Sequence, residues 1–373
     1  MEVRKKEKKT RMYDPVLCTA VILAMTVGFL AIWSATRSLG SARYLLVQGT
    51  AAVLGAAFIF ITMKFDYETF GRLAPFIFAF NVILLLVVLF FGTGDEVGTR
   101  GWIRIGSLSL QPAELVKIGF IVAFARQISA ADDVNNPKTL AFLLLHAGLT
   151  VGLILLQPDY GTAFVFVVMA FLMLLMAGLK IKYVLYALGA CAVAAPAAWF
   201  FVLKDYQKKR FFAFLNPEAD PLGSGYHVMQ SKIAAGSGKL FGSGLFKGVQ
   251  TQLGYLPEKQ TDFVFSVISE EMGFAGAAAV VIILLVIIVK CFNIAKNSRD
   301  MFGELICVGA GAMFLFHTFE NIGMCIGLAP VTGIPLPFIS CGGSNMLASL
   351  MVVGLVLNVR ARSKMVPKIS EKE

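Results

Sequence analysis

The sequence predicts an all-α polytopic membrane protein with about ten transmembrane helices, and three observations carry that prediction. The chain of 373 residues is 57% hydrophobic, with a mean hydropathy of +0.76, far above the soluble globular range. Six stretches of about 20 residues (16–36, 44–63, 73–94, 139–158, 160–179 and 183–203) contain no Asp, Glu, Lys or Arg. Each is long enough to cross a hydrocarbon core of ~30 Å as a helix. The polarity of these runs does not alternate at every second residue, as a transmembrane barrel requires.

The elements follow in chain order. A basic segment, 1–14 (MEVRKKEKKTRMYD), precedes the first run. No small-residue cleavage site ends that run, so it reads as a retained first helix. Runs two and three come next. A fourth helix is expected at QPAELVKIGFIVAFARQI (111–128), although Glu114 and Lys117 lie in its first turns. Helices five to seven are the remaining charge-free runs. The segment 204–262 is the one sizeable extramembrane loop. Within it, HVMQSKIAA (227–235) fits a short amphipathic helix lying on the membrane surface. The stretch GSGKLFGSGLFKG (236–248) is too glycine-rich to build a core of its own. An eighth helix follows LPEKQTDFVFSVISEEMG (256–273) and ends near Lys290; the ninth spans about 303–326 and the tenth about 340–359. APVTGIPLPFIS (329–340) is the one candidate break in the helical pattern, and a basic tail, 360–373, closes the chain.

Charge orients the bundle. With both ends cytoplasmic, the inner segments hold 20 Lys and Arg and the short outer loops only four (Arg37, Arg43, Arg100 and Arg104), which is the positive-inside pattern. The loop between helices seven and eight is then extracytoplasmic. The net charge of +10 is accounted for by this asymmetry, so no nucleic-acid partner is expected. The six cysteines show no CxxC or Cys/His metal spacing and read as small hydrophobes.

With orientation fixed, four acids from four helices reach one outer level: Glu114, Asp159, Asp262 and Glu320. Each has an ordinary structural role open to it. Lys117 can pair with Glu114 at i, i+3, Asp159 and Asp262 can cap the helices they precede, and Glu320 can hold the bundle through an ion pair. Glu270 and Glu271 are expected roughly 12 Å deeper than Asp262 along the eighth helix, buried and structural. The outer loop supplies Lys208, Lys209, Arg210, Lys232, Lys239, Lys247 and Lys259, interleaved with glycines. Backbone N–H groups and basic side chains in such loops suit phosphate oxygens. GSGKL is not a nucleotide-binding P-loop, because Leu240 stands where Ser or Thr is needed. The pattern describes an outward site with acids below and bases above. It fits a lipid-linked anionic substrate or a cation pathway, and spacing does not choose between them.

Four stretches, GTRGWIRIGSLSLQPAELVKI (98–118), LQPDYGTA (156–163), the long run from RFFAFLNPEADP to SEEMGFAG (210–276) and NIGMCIGLAPVTGIPLPFISCGGSN (321–345), resemble the SEDS family (shape, elongation, division and sporulation) over essentially the whole chain. PVTGIPLPFIS looks closer to the rod-shape branch of that family than to its division branch. Gln260, Cys341, Asn345 and Tyr160 depart from the usual residues at their positions, and none of these removes a charged site residue.

The resemblance implies a peptidoglycan glycosyltransferase that polymerises lipid II and the growing lipid-linked glycan on the outer face of the cytoplasmic membrane. It further implies a class B penicillin-binding protein as crosslinking partner, with other cell-elongation proteins. The family's essential aspartate falls on Asp262, its QPxELxK pair on Glu114 and Lys117, and the acid of QPDxGT on Asp159. Asp262 is then the expected base for an inverting displacement. Lys117, Arg210, Lys232, Lys239 and Lys259 are candidates to stabilise the leaving pyrophosphate, and Glu320 is a supporting acid. A divalent cation, Mg or Mn, has Asp159 and Glu114 as its candidate ligands, since Mg²⁺ typically uses one or two carboxylates plus substrate phosphates. The rival readings are a lipid II flippase and a non-catalytic scaffold for the penicillin-binding protein.

Overall fold

The computed structural model describes residues 13–94, 101–105, 108–201, 208, 212, 214–219 and 223–363. Each of the ten expected spans falls on a helix: α1 (Pro15–Thr36), α2 (Ser41–Lys64), α4 (Ala74–Phe91), α5 (Pro112–Ser129), α6 (Pro137–Leu155), α7 (Tyr160–Met176), α8 (Ile181–Phe201), α11 (Val264–Lys296), α12 (Met301–Ile326) and α13 (Gly343–Ser363). Seven of these are long and apolar enough to cross a bilayer. Of the other three, α5 carries Glu114, Lys117 and Arg126, α7 has 17 residues, and α8 has 21 residues, of which 183–201 are free of charge. Among the described residues, three shorter α-helices have defined bounds: α3 (Tyr67–Arg72), α9 (Ser224–Ser237) and α10 (Val249–Gln252). A small antiparallel hairpin, β1 (Ile103–Ile105) with β2 (Leu108–Leu110), precedes α5 and pairs Ile103 with Leu110. Nothing in the alternation of its sequence had marked it.

Helix starts follow local chemistry. Asp14 accepts from the backbone N of Val16 (3.0 Å) and Leu17 (3.1 Å), Asn136 from Lys138 (3.0 Å), and Asp300 from Gly303 (2.7 Å). Pro15, Pro112 and Pro137 open their helices, where the missing N–H costs nothing. α12 and α13 form the centre: 72% and 83% of their apolar windows are buried, against 22% for α2 and α4. The outward faces of α2 and α4 carry exposed Leu46, Val53, Phe60, Phe76, Phe80 and Phe90, as lipid contact demands.

Two non-helical segments interrupt this bundle. One is the expected break: 327–342 contains no helix. Gly28, eight residues inside α1, touches it so closely that a Cβ would stand 2.7 Å from Ile339 Cα. The other was not expected. α11 breaks at Gly273, whose φ of 68° and ψ of −168° belong to a region essentially restricted to glycine. The backbone groups released there are paired by the preceding loop. Phe274 and Ala275 donate to the carbonyls of Lys239 (2.8 Å) and Leu240 (3.1 Å), and Ser243 and Gly244 donate to Glu270 and Glu271 (both 3.0 Å). Backbone at membrane depth is tolerated where protein satisfies it. Gly273→Ala is expected to cost about 1–3 kcal/mol from backbone strain alone. A lower apparent melting temperature in detergent, relative to an exposed control such as Gly148→Ala, checks it.

The break corrects the expected depth order. Glu271 meets Ser34, two residues from the outer end of α1. Residues 260–262 are held lower. Cys341 N donates to Gln260 O (2.8 Å), Ser340 Oγ to Thr261 O (2.6 Å) and Asn321 Nδ2 to Asp262 O (2.9 Å). Ser340 and Gly342 are in turn bonded by Gln48, seven residues inside α2, which is roughly 10 Å along that helix. Asp262 therefore lies farther than Glu271 from the α1–α2 connection, because the helix is interrupted at Gly273 instead of running straight on.

The loop 204–262 is corrected as well. α9 appears where the short helix was expected, but Val228, Ser231 and Ala234 are buried against α11 and α12 rather than facing lipid. Ser231 Oγ bonds both Ser266 Oγ (2.7 Å) and Cys325 O (2.8 Å). Gly238 and Gly242 lie against the backbone of 269–272, so these glycines serve close packing and not an open phosphate nest.

Candidate functional site

The irregular segment 332–336, bent at Gly333 (φ 75°) and called the turn below, is the centre on which the predicted acids converge. Three side chains on one face of α12, at i, i+3 and i+4, grip it. His317 Nδ1 bonds Pro335 O (3.1 Å), Thr332 Oγ1 donates to Glu320 Oε1 (2.9 Å), and Asn321 Nδ2 donates to Ile334 O (2.8 Å). Such spacing places residues side by side on a helix. Leu336 N completes the turn by donating to Ser340 Oγ (2.8 Å).

Asp262 faces this turn. It is half-buried, and a Cβ built on Gly333 would lie 3.5 Å from its Oδ2. Its carbonyl is fixed by Asn321 and also receives the Cys325 thiol at 3.6 Å. It does not occupy the cap position of α11, which is Phe263 and has no side-chain cap bond. The carboxylate is thus carried on a pinned segment beside a glycine.

Asp159 does cap α7: Oδ1 accepts from Thr162 N (3.0 Å), and Oδ2 from Gln111 Nε2 (3.1 Å). The next residue but one, Gly161, lies against Thr332 and Ile334, so this cap adjoins the same turn. Glu114 and Lys117 form the expected pair at 2.8 Å, with side chains 4% and 1% exposed. Sequence reasoning missed His317, whose Nε2 lies 2.9 Å from Lys117 Nζ. A histidine amid apolar residues on a long helix gave no signal of its partner.

The predicted bases divide. Lys232 and Lys239 are exposed, with Lys232 lying over Gly327 at the end of α12. Lys117 is buried and committed to Glu114 and His317, and Lys259 is 5% exposed and donates to Thr251 O (2.6 Å). Neither presents its ammonium to a pyrophosphate in this arrangement. Burial holds the Lys259 ammonium below its usual range, an effect that Glu270 and Glu271 only partly oppose. Arg210 lies outside the described residues.

Glu270 and Glu271 have definite work. Glu270 Oε1 accepts from Gln250 N (2.7 Å), and Oε2 from Thr251 N (3.0 Å) and Thr251 Oγ1 (2.6 Å). It satisfies the N-terminal turn of α10, where a negative charge is favoured. Glu271 Oε1 accepts from Ser34 Oγ (2.6 Å) and Gln252 Nε2 (3.1 Å). Both are buried structural groups, and the partners come from α1 and the outer loop.

The two carboxylates considered for a divalent cation each have protein partners here. Glu114 is held by Lys117, and Asp159 spends both oxygens on Thr162 and Gln111. Among the described residues no group of three His, Cys, Asp or Glu could hold a metal.

Comparison with known proteins finds relatives over nearly the whole chain. Residues 15–365 match the family model of the FtsW, RodA and SpoVE cell cycle proteins. The chain is 35% identical to the probable peptidoglycan glycosyltransferase FtsW of Trichlorobacter lovleyi, covering 98% of each chain. It is 33% identical to the peptidoglycan glycosyltransferase MrdB of Escherichia coli K12, covering 95% of each. Among solved structures it resembles a chain of a peptidoglycan synthase complex studied for the coordination of polymerization and crosslinking, with a TM-score of 0.82 and 30% identity over 95% of this chain and 99% of that one. It also resembles the rod-shape-determining protein RodA of Thermus thermophilus, with a TM-score of 0.72 and 28% identity over 95% and 98% of the two chains.

Proposed function

The chain belongs to the FtsW, RodA and SpoVE family of cell cycle proteins, and from that premise we infer a peptidoglycan glycosyltransferase acting in cell-wall synthesis. Its substrate is lipid II, and its product a glycan strand still linked to lipid pyrophosphate. The protein spans the cytoplasmic membrane many times with this site facing outward, as the excess of basic residues on the opposite side supports. A crosslinking penicillin-binding protein is its partner, by analogy with the solved synthase complex it resembles.

The reaction joins an acceptor sugar hydroxyl to the anomeric carbon of a donor sugar. With an α-linked donor and a β-linked product, one in-line displacement suffices. The new C–O bond forms as the bond from the anomeric carbon to the phosphate oxygen breaks, and the pyrophosphate leaves with the electron pair. A base must take the hydroxyl proton. The observation that carries the assignment is Asp262, a half-buried carboxylate on a backbone pinned by Asn321 and by the neighbouring Thr261–Ser340 bond, next to Gly333. Fixing a reacting group in advance lowers the entropic cost of the step. The exposed ammonium groups of Lys232 and Lys239 lie on the side where the pyrophosphate of a membrane-anchored substrate would be held, and charge stabilisation is what this leaving group needs.

The test uses the full chain with its crosslinking partner in detergent, where no membrane barrier exists. Labelled lipid II is expected to be converted to longer glycan. Lipid II returned unchanged, together with movement of lipid II across vesicles containing the protein, would instead identify a flippase.

A further inference from the structure

We propose that His317 is a positioning residue for glycosyl transfer, holding the 332–336 turn in the arrangement that faces Asp262. This rests on the reading of Asp262 as the base. His317 is 2% exposed, and its protonation state follows from its partners. Pro335 O can only accept, so the proton is on Nδ1. Lys117 Nζ can only donate, so Nε2 offers its lone pair. The imidazole is therefore neutral, with one tautomer fixed by two neighbours, and a second proton would face the Lys117 ammonium at 2.9 Å.

The result is a chain of directed bonds that begins in α5 and ends in the turn. Glu114 accepts from Lys117, Lys117 donates to His317, and His317 donates to Pro335 O. The turn is gripped at Thr332, Ile334 and Pro335. Gly333, between these grips and at φ 75°, is the residue opposite the Asp262 carboxylate. Asn321 bonds both Ile334 O and Asp262 O, so turn and base share one anchor, and His317 sits one helical turn below that anchor. Loosening Pro335 shifts the wall of the site against a base that Asn321 still holds. The loss then falls on the reacting geometry and not on ground-state binding of a large lipid-linked substrate.

His317→Phe keeps a ring of similar size and removes both bonds. Its kcat for lipid II polymerisation is expected to fall on the order of 10- to 100-fold, as ~1 Å misplacements do, while KM changes less than about threefold, the pattern of an interaction used mainly in the transition state. His317→Gln, whose amide can donate and accept, is expected to recover most of the lost kcat. Parental kcat in His317→Phe, a purely KM effect, or a folded His317→Gln no faster than His317→Phe overturns the proposal. If His317→Phe does not fold, His317→Leu is read in its place. Asp262→Asn run in parallel separates the two levels. Normal polymer from Asp262→Asn sinks the base assignment, whereas an inactive Asp262→Asn beside an unaffected His317→Phe sinks only the positioning role.

Discussion

Asp262→Asn is expected to lower lipid II polymerisation by about 10²- to 10⁴-fold, the range associated with losing a positioned general base, while the protein stays folded. The substitution preserves shape and removes the negative charge together with the ability to take a proton. The bonds that locate this segment involve backbone atoms: Asn321 to Asp262 O, Ser340 to Thr261 O, and Cys341 N to Gln260 O. None of them is lost when the carboxylate becomes an amide. Initial rates of polymer formation, measured beside an apparent melting temperature, decide the matter. A rate within about threefold of the parent, smaller than any loss expected of a base, would move the base elsewhere. A loss of rate matched by a loss of folded protein would reduce Asp262 to a structural group.

The helices were legible because their signal is local. Charge-free runs define α1 and α6 with little help from the rest of the fold, and Asp14 and Asn136 then cap them locally. The Glu114–Lys117 pair was legible for the same reason, since both partners lie within one turn. What sequence reasoning missed depends on distant partners. Glu270 and Glu271 read as buried and structural, but their partners were not legible, because Thr251, Gln252 and Ser34 lie 19 to 237 positions away. The break at Gly273 looked like an ordinary glycine in an apolar helix. Only the loop 239–244, folding back onto it, makes the interrupted hydrogen bonds affordable. The depth order of Asp262 and Glu271 then came out inverted, because rise per residue applies only along an unbroken helix.

The same contrast between local pair and distant partner sets the second large effect. Lys117→Met is expected to destabilise the protein by about 3–5 kcal/mol, the usual result of leaving one partner of a buried ion pair uncompensated. The Glu114 carboxylate, 3% exposed, would lose its cation, and His317 Nε2 would lose its donor. Glu114→Gln is expected to cost less, because an amide oxygen can still accept from Lys117, and His317 still shares that ammonium. The double variant Glu114→Gln, Lys117→Met removes both charges and is expected to recover much of the stability lost in Lys117→Met, since a buried pair contributes little over a well-packed neutral replacement. Apparent melting temperatures of the three variants in one detergent give this order. Polymerisation should not follow it. The double variant still lacks the donor that holds His317 against Pro335, so it is expected to be stable and slow. A double variant restored in both stability and rate would show that the pair serves the fold alone. Stability restored without rate would show that its charge is kept for the turn beside Asp262.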